Sequence, residues 1–397
     1  MLVSIFVLSA GAWYIMTPAE RERVVRAVVS HVPKLKAASR ALRRDHDEIL
    51  DKMLRERTPW PLATPLIAFL NLALYTWMQL DPGVSAVEMF GNFGPRTTNG
   101  EWWRLVTSMF VHDSAWRLLL NMTALLQVGL LLERLVGSLT FSVVYLVAGV
   151  LASLLALSTS QGTPVFGASA AVFGIYGLLM ASWMWGACQR ADSTIRLRTI
   201  KAFAPLAMVF SVVNLAGGGD RSAVECLGLA TGFACGVLMA RPVRVSKPST
   251  RRVATIAAAG AYLAIVASVP LRGVSDVRPT LAKVLGIEQR TSAAYDAALV
   301  EFRAGRLPRQ QLAQLIDRQV LPELRIARFD VQALSRPPRE HQPLVQAAEI
   351  YTLRRMESWK VRSRALRNAD WRQLQNADAL ERAALQRLEP IRSWGGA

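Results

Sequence analysis

The chain has 397 residues, 52% of them hydrophobic and only 19% charged, where a soluble domain carries about 25%. That balance excludes a disordered chain, and the gathering of apolar residues into long runs argues against a single soluble domain. The three cysteines, Cys188, Cys226 and Cys235, lie in or beside apolar runs and exclude a disulfide scaffold. The formal charge of +18 falls between apolar runs and in a long tail, so it reads as membrane topology rather than as a nucleic-acid surface.

A spanning helix needs roughly 20 mostly apolar residues. The first run, Leu2–Met16, is short and has no basic segment before it, so residues 1–16 read as an anchoring helix rather than a secretory signal. Residues 17–60 follow as a charged helical segment, with 11 basic and seven acidic residues between Thr17 and Thr58. Residues 61–241 carry six runs: Leu62–Leu80, Leu118–Val136, Phe141–Leu157, Val165–Gly186, Ala202–Leu215 and Val224–Ala240. An eighth run, Ala254–Leu271, rich in Ala and Val, gives a further spanning helix at 253–271.

Loop charges orient these runs. Thr17–Thr58, Gln189–Lys201 (four basic residues) and Arg241–Arg252 (five) are rich in Lys and Arg and belong in the cytoplasm. Asp81–Trp116 has only Arg96 and Arg104, Ser158–Pro164 has none, and Ala216–Ala223 has only Arg221, so these face outward. If Ala254–Leu271 spans, residues 272–397 are also outside. The expected setting is an integral protein of a bacterial inner membrane, with membrane lipids as its first partners and no nucleic acid.

The tail, 272–397, is different material, with 22 basic and 14 acidic residues. Its helical stretches are Ser292–Phe302, Pro308–Gln319 and Pro343–Arg367, punctuated by Gly305, Pro337–Pro338 and Glu389–Pro390. Leu344, Ala347, Ala348, Tyr351, Leu353 and Trp359 predict an amphipathic face. Two readings stand: a domain that binds partners or gates substrate, or a small helical hairpin that only packs.

Chemistry concentrates in two segments. The first is Glu101-Trp102-Trp103-Arg104 through His112, leading into Arg117-Leu118-Leu119-Leu120-Asn121; the second is Pro164-Val165-Phe166-Gly167-Ala168-Ser169, leading on to Phe173, Gly174 and Gly177. Ser169 follows a Gly and a Pro at the outer end of an apolar helix, where free backbone N–H groups can meet developing negative charge. Phe173 lies one turn below it. Alone, this pattern is equally a small-residue helix interface with one packing serine.

Together these residues, in this order and spacing, resemble the rhomboid family of intramembrane serine proteases. The resemblance covers Pro61–Arg241. It rests on Trp103-Arg104, the His112-to-Asn121 spacing, Gly167-Ala168-Ser169, and the glycines Gly228, Gly232 and Gly236. It implies an all-α membrane bundle of six helices around a water-filled cavity, extended here by a helix at each end and a helical tail. Ser169 then matches the nucleophile, and Asn121 and His112 match the oxyanion-side wall. No metal or cofactor is implied.

The sequence departs from that family where it matters. Counting back from Gly228, the position of the general-base His is Glu225, and the other histidines, His31, His46 and His341, lie far along the chain. A second family His, five residues after His112, is Arg117, and Ala170 stands where Gly is usual. A serine without an adjacent base is a poor nucleophile. Arg117 and Glu225 can be read as an ion pair bridging two helices, or as an Arg reaching the interface and a Glu facing loop water near Arg221. The expected function is a pseudoprotease that binds the transmembrane helices of clients. The alternatives are an active endopeptidase using Ser169 with Glu225 or water as base, and a transporter or channel built on an intramembrane charge pair.

Overall fold

The computed structural model describes residue 56 and residues 58–80, 85–188, 197–216, 219–243 and 248–395. The expected anchoring helix at 1–16 and nearly all of the charged segment 17–60 lie outside these residues. The described chain is all-α. Helices α1 (Ala63–Leu80), α2 (Ala115–Val136), α3 (Ser138–Thr159), α4 (Ser169–Cys188), α5 (Leu197–Leu215), α6 (Gly219–Val243) and α7 (Thr250–Ser268) form the apolar part. Among the described residues four helices are long and apolar enough to cross a membrane, at Ala115–Val136, Ser138–Thr159, Gly219–Met239 and Thr250–Leu271, with shorter apolar helices at Ser169–Met184 and Phe203–Leu215. The protein is an integral membrane protein.

The chain divides into two compact units. The first holds the apolar helices around a core that includes Leu125, Leu132, Phe141, Tyr145, Ile175 and Phe210. Within it, small residues let backbones approach. A Cβ on Gly232 would run into the Gly174 carbonyl, one on Gly228 into the Ala170 carbonyl, and one on Gly177 into the Leu229 carbonyl. Glycine is therefore required along this α4–α6 seam, where packing rather than the hydrophobic effect holds spanning helices together. Ala171 turns from that seam toward α3, facing Gly149.

At the far end of α2, Glu133 is wholly buried and accepts hydrogen bonds from the backbone N–H groups of Ala63 and Thr64, both at 2.7 Å. Those are free donors at the start of α1, so a carboxylate serves as that helix's cap. Ser138, at the start of α3, donates to the same carboxylate at 2.6 Å. One side chain thus ties α1, α2 and α3.

The second unit contains Arg272–Ala397 together with two short loop segments, Gly94–Gly100 and Ser160–Thr163. It is built from α8 (Arg278–Arg303), α9 (Arg309–Leu315) running through a π-turn at Ile316–Val320 into α10 (Leu321–Gln332), then α11 (Gln342–Asn368) and α12 (Trp371–Gly395). Of the two readings of the tail, this overturns the small hairpin. It also corrects the expected break at Glu389–Pro390: α12 runs through Pro390, because the fully buried Leu388 and Ile391 hold the turn in the core. The buried face of α11 includes Val345, Ala348, Tyr351, Arg355 and Trp359, whereas Leu353 points outward.

Arg355 is 1% exposed, the most buried cation of this unit among the described residues. It donates to Glu288 through Nη2 at 2.8 Å and Nε at 3.0 Å, a bidentate pair, and its Nη1 lies 2.6 Å from Glu381. Ser292 Oγ at 2.8 Å and the Tyr351 hydroxyl also donate to Glu288. Burial raises the Glu288 carboxyl, but the Arg355 charge and hydrogen bonds from Arg355, Tyr351 and Ser292 outweigh it and hold the group below the ordinary carboxylate range.

Candidate active site

Ser169 is the first residue of α4, placed there by its lead-in rather than by helix propensity. Val165 exchanges backbone hydrogen bonds with Asn92 (2.8 and 2.9 Å), and Gly167 N–H donates to the Ser108 carbonyl at 2.9 Å. Gly167 takes φ +121, a conformation that side chains other than glycine rarely adopt. The apolar run expected from Val165 therefore stays non-helical for its first four residues, and the helix begins at the serine. Asn92 was not singled out in the sequence; an isolated Asn in a loop carries no periodic signal, yet it also donates to the Ser153 carbonyl at 2.9 Å.

Glu225, on α6, is 2% exposed, and Ser169 Oγ donates to its Oε1 at 2.8 Å. The seam of Gly228 and Gly232 brings the two helices close enough for this bond. Glu225 Oε2 is buried with no hydrogen-bond partner.

The expected Arg117–Glu225 pair is not formed. Arg117 Nη1 pairs instead with Asp113, one turn earlier, at 2.9 Å, and both side chains are partly exposed. A local i,i+4 pair on the first turn of α2 costs little ordering, whereas carrying the guanidinium into the bundle would strip its water. The charge pair behind a transporter or channel reading is absent with it.

Asn121 is buried, and its amide donates to the Arg117 carbonyl at 2.8 Å, while its Oδ1 is buried without a partner. His112, just before α2, is 2% exposed. Burial lowers its imidazole to about 4, and the Phe110 carbonyl and Asp113 do not offset this, so it is neutral near pH 7. Phe173 is buried, with its ring 4.8 Å from that of Phe210. Trp103 and Arg104 organise the outer loop. Arg104 is buried, donates to the carbonyls of Glu88 (2.8 Å) and Gly91 (3.0 Å), pairs with Glu101, and stacks 4.8 Å from the centre of the half-exposed Trp103 ring. Among the described residues no group of three or more His, Cys, Asp or Glu is placed to hold a metal ion.

The chemical core is a serine hydroxyl whose proton already points at a carboxylate, beside the free N–H groups of a helix start. The hydroxyl and the carboxylate meet between two apolar helices, α4 and α6. Residues 99–245 match the rhomboid domain family. The chain carries a rhomboid domain over these residues.

Named relatives include both proteases and a protein described as inactive. The chain is 34% identical over 124 residues to rhomboid protease GluP of Bacillus subtilis (strain 168), covering 30% of this chain and 24% of that protein. It is 31% identical over 105 residues to inactive RHOMBOID-like protein 8 of Arabidopsis thaliana, covering 26% and 30% respectively. With rhomboid-like protease 1 of Toxoplasma gondii it shares 28% identity over 202 residues, half of this chain and 68% of that one. The chain thus spans less than a third of the first two relatives.

Proposed function

We propose that this protein is a proteolytically impaired rhomboid that binds the transmembrane helices of client proteins. The observation behind this reading is Glu225: it stands where the resemblance puts the base His and holds the Ser169 hydroxyl at 2.8 Å. In a Ser–His dyad the imidazole takes the serine proton and returns it to the leaving amine, and here a carboxylate stands in that place. Loss of the base in soluble serine proteases costs about 10⁴–10⁶ in rate. The clients themselves would lie along the lipid-facing helices.

The Ser169–Glu225 hydrogen bond favours a second reading, a slow endopeptidase. In it Glu225 takes the serine proton as the hydroxyl attacks a carbonyl, then returns it to the leaving amine. One experiment separates the two. A fluorophosphonate probe on the membrane-embedded chain labels Ser169 only if the hydroxyl is activated. No labelling above the Ser169→Ala control supports impairment. Labelling lost in both Ser169→Ala and Glu225→Gln supports the slow protease.

The same reading sets the protein in a bacterial inner membrane with the C-terminal unit outside the cytoplasm. The loop charge count supports this orientation. So does the grouping of Gly94–Gly100 and Ser160–Thr163, both outward by that count, with Arg272–Ala397 in one unit. A cysteine placed at residue 380 should react with an impermeant maleimide from the periplasmic side; protection there would invert the orientation.

A further inference from the structure

We infer that the Ser169 site receives a primary carboxamide, the side chain of a Gln or Asn in a client's transmembrane helix. The inference rests on the client-binding reading above and names the group that such a client presents. It is built within the first unit alone, to which His112, Asn121, Ser169 and Glu225 all belong.

The polar atoms of the site are partly spent, and what remains has a direction. The Arg117 carbonyl can only accept, so the Asn121 amide nitrogen faces it at 2.8 Å and the amide oxygen is left over. That Oδ1 is buried without a partner. The Ser169 hydroxyl likewise takes Glu225 Oε1 at 2.8 Å and leaves Oε2 buried without a partner. Asn121 is 4% exposed and Glu225 2%, so both oxygens have lost their water. Both are acceptors. The donors come from the start of α4. There the Val172 N–H is taken by the Ala168 carbonyl at 3.0 Å, and the N–H groups of Ser169, Ala170 and Ala171 precede it on the first turn.

These groups share one end of the unit. The bond from Gly167 N–H to the Ser108 carbonyl ties the lead-in of the serine to the segment that runs on to His112. The Arg117 charge acts on both His112 and Glu225, and Asn121 follows Arg117 by one turn of α2. Room remains beside them. A Cβ on Gly167 would meet nothing within 4 Å beyond its chain neighbours, and Gly167 and Ser169 are partly exposed.

A primary carboxamide answers this set. Its NH₂ brings two donors for the two free oxygens, and its carbonyl accepts from the N–H groups at the start of α4. A carboxylate has no donor for either oxygen. An ammonium has no acceptor for the α4 N–H groups, and it meets Arg117 and Arg221, whose charges already act on Glu225. An apolar side chain leaves every one of these groups unpaired. In a bilayer the client gains as well, because an amide on a spanning helix has no water to bond.

The test uses the full chain in liposomes and a single-span Leu/Ala helix with one Gln near its outer end. The same helix carrying Leu, Lys or Glu at that position is the comparison, and fluorescence energy transfer reads association. The Gln helix should associate at least threefold more tightly than the Leu helix. The gain is of this modest size because interhelical hydrogen bonds in bilayers compete with other partners. Lys and Glu should give no such gain. Glu225→Leu and Asn121→Leu should each remove most of the preference for Gln over Leu. Equal binding of the Gln and Leu helices overturns the inference, and so does a Lys or Glu helix that binds more tightly than the Gln helix. A preference for Gln that survives in both variants overturns it too. If a variant fails to fold, wild type decides through a diazirine placed beside the Gln: crosslinks at 165–173 or 221–229 are expected, and crosslinks confined elsewhere overturn the site. A chain that binds none of the helices removes the client-binding reading along with this one, whereas equal binding of the Gln and Leu helices removes this one alone.

Discussion

The Ser169 hydroxyl donates to Glu225 Oε1 at 2.8 Å, which joins the first residue of α4 to the second turn of α6. The bond does two things at once. It gives a buried carboxylate one of its acceptor contacts, and it ties up the hydroxyl that a nucleophile must free. Glu225→His should therefore raise cleavage of a model transmembrane substrate at least a hundredfold, because an imidazole is basic enough to take the proton near pH 7. Adding Ser169→Ala should abolish the gain. Robust cleavage by the unmodified chain, lost on Glu225→Gln, would show instead that the carboxylate serves as base.

The glycine seam makes a steric prediction. In Gly232→Leu the new side chain meets the Gly174 backbone carbonyl, which cannot swing away as a flexible side chain can. Overpacking of this kind costs about 1–3 kcal/mol or more, so thermal unfolding in detergent should fall by several degrees at least. Gly286→Ala is the contrast: its Cβ meets only the end of the Arg290 side chain, at 3.4 Å. Replacing a helix-interior glycine there should stabilise α8 by up to about 1 kcal/mol.

Much of this arrangement was legible in the sequence, and the misses have physical reasons. The runs that became α2, α3, α6 and α7 are read well because lipid-facing helices must be apolar around most of their surface. The start of α4 was placed four residues early. Hydropathy cannot see that Val165 is bound to Asn92, or that Gly167 takes a left-handed φ. Ser169 and Glu225 are singled out by the resemblance, whose glycine spacings locate both positions. Of the two readings of Arg117, the pair with Glu225 fails because opposite-charge logic ignores distance along the chain; Asp113 stands one turn away. In the tail, Arg355 was missed because a buried cation breaks the apolar pattern that marks a core face, and only its partners on other helices explain it.

Glu133 should be the most sensitive single carboxylate of the first unit. Glu133→Ala removes the cap of α1 and the acceptor for Ser138 together. Hydrogen bonds to a charged group contribute roughly 1.5–3 kcal/mol each, with less than full additivity. A loss of at least ~2 kcal/mol is expected, read as a drop in unfolding temperature with faster amide exchange in the first turn of α1. Glu133→Gln should fall between, since it keeps one acceptor. Unchanged exchange at Ala63 and Thr64 would refute the capping role.

His112 predicts a pH dependence. Its folded value is about 4 against 6.5 in the unfolded chain. Between those values the unfolded state binds the proton and the folded state does not, so stability falls as pH drops from about 6.5 to about 4 and is flat outside that window with respect to this group. The full difference corresponds to about 3 kcal/mol at most. Unfolding temperature measured from pH 7 to 4 should show this slope in wild type and lose most of it in His112→Gln. An identical slope in the variant would assign the effect to other groups.

The last prediction concerns the buried ions of the second unit. Glu288 is held below the ordinary carboxylate range by Arg355, although burial alone would raise it. A depressed carboxylate adds stability above its unfolded pKa, near 4.3, and loses it as pH falls through the lower folded value. This unit should therefore keep that stability until the pH falls below the ordinary carboxylate range, and then open. Arg355→Met should remove that protection at neutral pH as well, because it leaves Glu288 buried without a counter-charge, at a cost of about 3–5 kcal/mol. Pairing it with Glu288→Met removes the orphaned charge. The double variant should recover a large part of the loss, although Glu381 still lacks the contact that Arg355 makes at 2.6 Å. Amide exchange along α11 reads the unit separately from the membrane helices, which melt on their own schedule. If the double variant is as open as Arg355→Met alone, the cost does not arise from an unpaired Glu288, and the stabilising contact of Arg355 must be its stacking on Trp359 at 4.5 Å.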